Sequence, residues 1–263
     1  MKKVGKDIPA GDRWKEVAAS YAEGIEGAYH RHRLRVIQTL LPDLNGRRVL
    51  DFGCGEGVMI AETLKRGAAQ VTGIDIEPTL LEKARQRESG AKLLLGGVEQ
   101  LNELQDNSFD CLLSLNVLAY LSNREVDEFY RQSARILVPG GAMVVTHSNS
   151  LFDIFTFNSY TVAFFRDQFT CDIAPLLIHP DRPSRSSFNI RENPLSYASK
   201  LAAYGFREER QEFMNRHLLP PLLSEDDPDD MQRERPETLD LPMDERWKLF
   251  FQCSMFASKA VRV

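Results

Sequence analysis

The sequence predicts an α/β fold, a doubly wound, mostly parallel, seven-stranded sheet with an inserted helical or loop lid after strand five. Two observations carry this reading. Short apolar strand patterns alternate with helix patterns between residues 47 and 147, and that rhythm implies a parallel sheet covered by helices on both faces. A glycine-rich turn also joins the first strand of the series to its first helix.

The elements follow in order. Residues 47–51 form a short buried strand, and a helix is expected from Val58 to Arg66, closed by Gly67. Val71 to Ile74 is the second strand, after which Pro78 opens a helix with Leu80, Leu81 and Ala84 on one face. Lys92 to Leu95 and Phe109 to Leu115 are the third and fourth strands. A capping box of Ser122 and Glu125 begins the clearest helix, whose apolar stripe runs from Val126 to Leu137. Pro139-Gly140-Gly141 then turns the chain into a fifth strand, Ala142 to His147.

Beyond His147 the alternation stops. Residues 148–193 read as an insertion, aromatic at first and proline- and serine-bearing from His179 to Ser187. A helix after Asn193-Pro194 should point Leu195, Ala198, Leu201 and Ala202 inward, and Phe206 to Arg216 and Leu249 to Ala260 should complete the sheet. The expected organisation is a helical cap over 1–45, a core over 46–147, a substrate lid over 148–193 and a completion over 194–263. An acidic, proline-rich loop, 219–247, interrupts the last of these.

Composition narrows the function. Among 263 residues, 33 are basic and 38 acidic, a net charge of −5, which offers nucleic acid and anionic membrane no electrostatic attraction. Cys54, Cys111, Cys171 and Cys253 are widely spaced, with no CxxC pair, and read as reduced thiols rather than zinc ligands or disulfides. Met1 to Trp14 lacks an apolar h-region. The longest apolar run, Cys111 to Leu121, is eleven residues, short of the roughly 20 that a membrane span needs. A cytoplasmic protein is expected, with no metal.

The informative segment is Asp51-Phe52-Gly53-Cys54-Gly55-Glu56-Gly57. Its glycines let the backbone turn tightly and bring a ligand close to a helix N-terminus. Their G-x-G-x-G spacing differs from the G-x-G-x-x-G dinucleotide fingerprint, with Val58 in the third glycine's place. Asp51 directs a carboxylate at the turn, which suits a cationic ligand and would repel a pyrophosphate. Asp75 ends the second strand, 20 residues beyond Gly55, where Rossmann-type sites hold a ribose diol. S-adenosylmethionine joins a cationic amino-acid end to an adenosine.

With these residues in place, the chain resembles the class I S-adenosylmethionine-dependent methyltransferases, well over residues 14–147 and loosely beyond. VLDFGCGEG resembles their first motif and VTGIDIEP their second, with NSFDCLLSLNVLAYL and RILVPGG following in order. The resemblance implies S-adenosylmethionine as cofactor and methyl transfer to a small acceptor, at oxygen or nitrogen, such as a sugar or natural-product intermediate. Asp51, Gly53, Cys54 and Gly55 would frame the methionine end, Asp75 the ribose hydroxyls, and Ile76 the adenine face. Gly97, Val98 and Glu99 would lie at the adenine edge, although many relatives carry an acid where this chain has Gly97. Asn116 would line the methyl-transfer cleft, and Tyr21, on a helical face with Trp14 and Val17, would close over the cofactor.

His147, at a strand end, is the candidate general base. Tyr120, Phe157 and Tyr160 are candidate substrate contacts. Each also has a purely structural reading: Tyr120 as packing, His147 as a strand-end residue, the insertion's aromatics as local core or a homodimer interface. His30-Arg31-His32-Arg33 does not read as a metal site, because adjacent helix residues face different ways. The competing readings are a catalytically silent protein that binds the cofactor and supports a partner, and a nicotinamide-dependent oxidoreductase, which the glycine spacing and Asp51 disfavour.

Overall fold

The computed structural model describes residues 28–88, 90–152, 190–216 and 241–263. Their elements run α1 (Ala28–Leu40), β1 (Arg48–Phe52), α2 (Val58–Lys65), β2 (Gln70–Asp75), α3 (Pro78–Arg87), β3 (Lys92–Leu95), α4 (Glu99–Asn102), β4 (Phe109–Ser114), α5 (Asn123–Ile136), β5 (Leu137–Ser148), α6 (Tyr197–Ala202), β6 (Phe206–Arg216), α7 (Lys248–Gln252) and β7 (Cys253–Arg262). The seven strands form one sheet in the order β3-β2-β1-β4-β5-β7-β6. β1 to β5 pair in parallel, and β7 lies antiparallel between β5 and β6. The expected doubly wound, mostly parallel sheet is therefore present.

Each central strand is apolar on both faces because helices cover both, and the period of two assigns its residues to two cores. Leu50, Phe52, Ile74, Leu112, Met143 and Val145 pack with Phe129 and Tyr130 of α5 and with Tyr197 and Leu201 of α6. Val49, Val71, Cys111, Leu113 and Val144 pack on the other face with Ile37 and Leu40 of α1, Met59 and Ile60 of α2 and Leu81 of α3. Asp51, one residue after Leu50, falls on this second face.

α5 begins as the sequence predicts. Ser122 Oγ accepts the Glu125 N–H, and the Glu125 carboxylate accepts the Ser122 N–H at 2.7 Å. Ser122→Ala removes half of this capping box and is expected to cost about 1 kcal/mol. Thermal unfolding should show a fall of roughly 2–4 °C, and an unchanged midpoint would mean that packing alone holds the helix start.

Three expectations are corrected. β5 starts at Leu137 rather than Ala142: Phe109 pairs with Leu137 and Cys111 with Ala142, so Val138 to Gly141 bulge out of register, Gly140 at φ 76°. The helix after Pro194 starts at Tyr197, which with Leu201 faces the core, whereas Leu195 is 66 % exposed and Ala198 and Ala202 are exposed. Residues 248–252 are a short helix rather than strand, and β7 begins at Cys253.

Candidate active site

The order of strands reverses between β1 and β4, and in open α/β sheets ligands bind beyond the carboxyl ends of the strands at such a point. A cleft lies there. Its floor is the glycine turn after β1, with Phe52, Gly53 and Gly55. One wall is the end of β2 with Ile74, Asp75 and Ile76, together with Leu80 and the turn Gly96-Gly97 after β3. The other is the segment after β4, Leu115 to Val117, with Tyr120 and Leu121 behind it.

The turn is held in shape from below. Gly53 and Cys54 both donate their N–H to the Ile74 carbonyl, at 2.7 and 3.0 Å. Gly53 lies at φ 76° and Gly55 at φ 51°, conformations that a Cβ disfavours. A Cβ at Gly53 would lie 2.0 Å from Val117 Cγ2, so the floor and the far wall are in van der Waals contact; among the described residues nothing lies within 4 Å of a Cβ at Gly55. Glu56 tethers the turn to α3 through Lys83 at 2.5 Å, and Arg87 Nε donates to the Glu56 carbonyl at 3.0 Å.

Two carboxylates meet beneath it. Parallel pairing sets Asp51 beside Gly73 and Phe52 beside Ile74, so Asp51 and Asp75 reach the same end of the sheet. Asp75 is 9 % exposed; it accepts the Gly55 N–H at 2.8 Å and the Glu77 N–H at 2.9 Å. Burial raises its carboxyl above the usual range, and those backbone bonds oppose the rise. Asp51 is 2 % exposed, and its Oδ2 has no hydrogen-bond partner among the described residues. Burial, then the charge of Asp75, pushes its carboxyl up to about 7.

These residues fit a cationic ligand. A buried carboxyl with an orphaned oxygen, beside a second acid and under a glycine turn, gains from positive charge and would repel a pyrophosphate.

Seven of the residues singled out from the sequence line the cleft: Gly53, Gly55, Asp75, Ile76, Gly97, Asn116 and Tyr120. Asp51 and Cys54 sit just beneath the turn, Cys54 in the core. Val98 is buried under α4. Glu99 folds back on the Gly96-Gly97 turn, its Oε1 accepting the Gly97 N–H at 2.6 Å, and its Oε2 would be 3.0 Å from a Cβ at Gly97. The carboxylate of Glu99 thus lies where a side chain at position 97 would start.

His147 is the correction. It shares a face of β5 with Met143 and Val145, and its ring packs on Tyr197 at 4.5 Å and Phe256 at 5.1 Å. It is 2 % exposed and does not line the cleft. Burial, then the charge of Lys200, holds its imidazole well below the usual histidine range. The neighbouring Thr146, which sequence reasoning missed, is the β5 residue that reaches the cleft wall, through Asn116. Leu115, Val117 and Leu121 were missed as well, because an apolar run after a strand carries no mark of what it faces. Tyr21, Phe157 and Tyr160 lie outside the described residues.

The fold and this cleft define a doubly wound α/β domain whose glycine turn and acid pair, Asp51 and Asp75, fit a cationic ligand. Residues 50–145 match the family model of a methyltransferase domain, and over this part the chain is similar to the class I S-adenosylmethionine-dependent methyltransferases, whose cofactor is S-adenosylmethionine. The chain is 36 % identical over 121 residues to a ubiquinone biosynthesis O-methyltransferase of Xanthomonas euvesicatoria, covering 44 % of this chain and 49 % of that protein. It is 36 % identical over 113 residues to a tRNA U34 carboxymethyltransferase of Idiomarina loihiensis, covering 40 % of this chain and 34 % of that protein. The matches thus span half or less of these relatives' length. Among solved structures, an S-adenosylmethionine-dependent methyltransferase from Mesorhizobium loti shares the fold, with TM-score 0.60 and 19 % identity over 91 % of this chain and all of that one. Among the described residues no helix is long and apolar enough to cross a membrane.

Proposed function

We propose that the chain transfers the methyl group of S-adenosylmethionine to an oxygen or nitrogen of a small molecule, such as a sugar or a natural-product intermediate, in the cytosol. The observation that carries this is the acid pair at the glycine turn, Asp75 in the wall of a largely apolar cleft and Asp51 buried just behind the turn. S-adenosylmethionine supplies an electrophilic methyl carbon on a cationic sulfur. Asp51 and the turn Gly53 to Gly55 hold the cationic amino-acid end. Asp75 uses part of its roughly four acceptor positions on backbone amides, those of Gly55 and Glu77 among them, and the rest is offered to a ribose diol. Ile76 packs on the adenine, and Glu99 presents at its edge the carboxylate that Gly97 lacks. Asn116 and Tyr120 face the acceptor, and Phe52, Leu115 and Leu121 keep water from it, so that orientation and desolvation do most of the chemistry.

A small acceptor is favoured over RNA by the net charge of −5, since phosphate backbones are held by basic surfaces. A second reading, a catalytically silent cofactor-binding protein, draws on the burial of His147, which takes the candidate base out of the cleft.

Calorimetric titration with S-adenosylmethionine, S-adenosylhomocysteine and NAD tests the site. The first two should bind and NAD should not. Asp75→Ala should weaken both by at least about thirtyfold, the loss of two charge-assisted hydrogen bonds. Wild-type affinity in that variant would overturn the ribose assignment, and binding of NAD alone the whole reading. Transfer of labelled methyl to a panel of hydroxyl and amine acceptors then separates an enzyme from a silent binder.

A further inference from the structure

We infer that Thr146 is a positioning residue, whose hydroxyl fixes Asn116 in a left-handed conformation and so sets the wall of the cleft against the glycine turn. The inference rests on the cofactor reading above. Asn116 lies at φ 61°, uncommon for a residue with a Cβ and most accessible to asparagine and aspartate. Such a conformation persists where its surroundings hold it, and here they are specific. The Asn116 N–H donates to Thr146 Oγ1 at 2.7 Å, and the same hydroxyl donates to Asn116 Oδ1 at 3.4 Å. One hydroxyl thus binds both the backbone and the side chain of the strained residue.

Thr146 is itself rigid. It is 2 % exposed, in the middle of the β5–β7 ladder opposite Ala257, and a β-branched residue has few χ1 choices. Pairing of Ser114 with Val145 brings Thr146 level with the chain just beyond β4. The effect reaches the ligand through Val117, the next residue, whose Cγ2 covers Gly53 so closely that no Cβ would fit between them. Hydroxyl, Asn116, Val117 and Gly53 form one line of contacts from the sheet to the floor of the cleft. Without the hydroxyl, Asn116 is free to leave φ 61°, and Val117 moves relative to the turn.

The test titrates wild type, T146S and T146V with S-adenosylmethionine and S-adenosylhomocysteine, and follows amide exchange in each ligand-free protein. T146V keeps the shape and loses the hydroxyl; T146S keeps the hydroxyl. T146V should bind both ligands about tenfold more weakly, the effect of one hydrogen bond, and T146S within about twofold of wild type. In T146V exchange should quicken at the Asn116 amide while β5 stays protected. Unchanged affinity in T146V, equal losses in both variants, or exchange quickened throughout β5 would overturn the proposal, the last marking a merely structural role. Should T146V not fold, T146C, of similar shape with a weak acceptor, is judged by the same criteria. A wild type that binds neither ligand refutes the cofactor reading, and exchange at Asn116 then still decides the role of Thr146.

Discussion

Replacing Asp51 by asparagine is expected to make the ligand-free protein more stable and to remove most of its affinity for S-adenosylmethionine. Asp51 is buried, its Oδ2 without a hydrogen-bond partner among the described residues, and burial, followed by Asp75, raises its carboxyl from 3.8 to about 7. Between about pH 4 and pH 7 the folded state therefore holds a proton that the unfolded chain has released. Stability falls as pH rises through that window, and the loss is complete above it. Asparagine cannot ionise, so D51N lacks this slope and above pH 7 should unfold roughly 5 °C higher than wild type.

Ligand binding runs the other way. A cation above the acid pair favours the ionised carboxyl, so below pH 7 the wild type must release a proton to bind. Its Kd should fall about tenfold per pH unit from pH 5 and level off above 7. For D51N the Kd should be flat with pH and, at pH 8, at least about tenfold weaker. Thermal unfolding and calorimetric titration at pH 5.5, 6.5 and 8 measure both arms. A less stable D51N, or one that binds like wild type at pH 8, would remove Asp51 from the site.

Much of this site was legible because it is local in the chain. Asp51 to Gly57 and Asp75 lie at strand ends, and once two strands are known to pair in parallel, both ends must meet at one edge. His147 was legible only in part. Its place at the end of β5 followed from the apolar run before it, but every residue from Ala142 to Val145 is apolar, so nothing said which face His147 takes. Tertiary packing decided that, by laying Tyr197 over it. The same ambiguity misled the reading of Leu249 to Phe251, an apolar run too short for periodicity to separate helix from strand. Tyr197 was missed because the helix after Pro194 starts three residues late, which shifts its inward face. Thr146 and Val117 act through contacts across 30 and 64 positions of chain, with Asn116 and Gly53, and no pattern along the sequence marks such pairs.

The close fit of Val117 over Gly53 supplies the other large effect. Gly53→Ala is expected to abolish measurable cofactor binding and to lower stability by a few kcal/mol, from two separable causes. Alanine at φ 76° carries roughly 1–2 kcal/mol of left-handed strain. Its Cβ would also stand 2.0 Å from Val117 Cγ2, a collision that only movement of the far wall relieves, at about 1–3 kcal/mol for an overpacked site. Val117→Ala removes that methyl. In the V117A background, G53A should therefore cost only the conformational part, about half of its cost alone or less, and part of the affinity should return. Denaturant unfolding of the four proteins in this cycle measures the coupling. If G53A costs the same in both backgrounds, strain alone makes glycine necessary. Val117 then exerts no pressure on the turn, and the line of contacts from Thr146 to the floor of the cleft is broken at its last step.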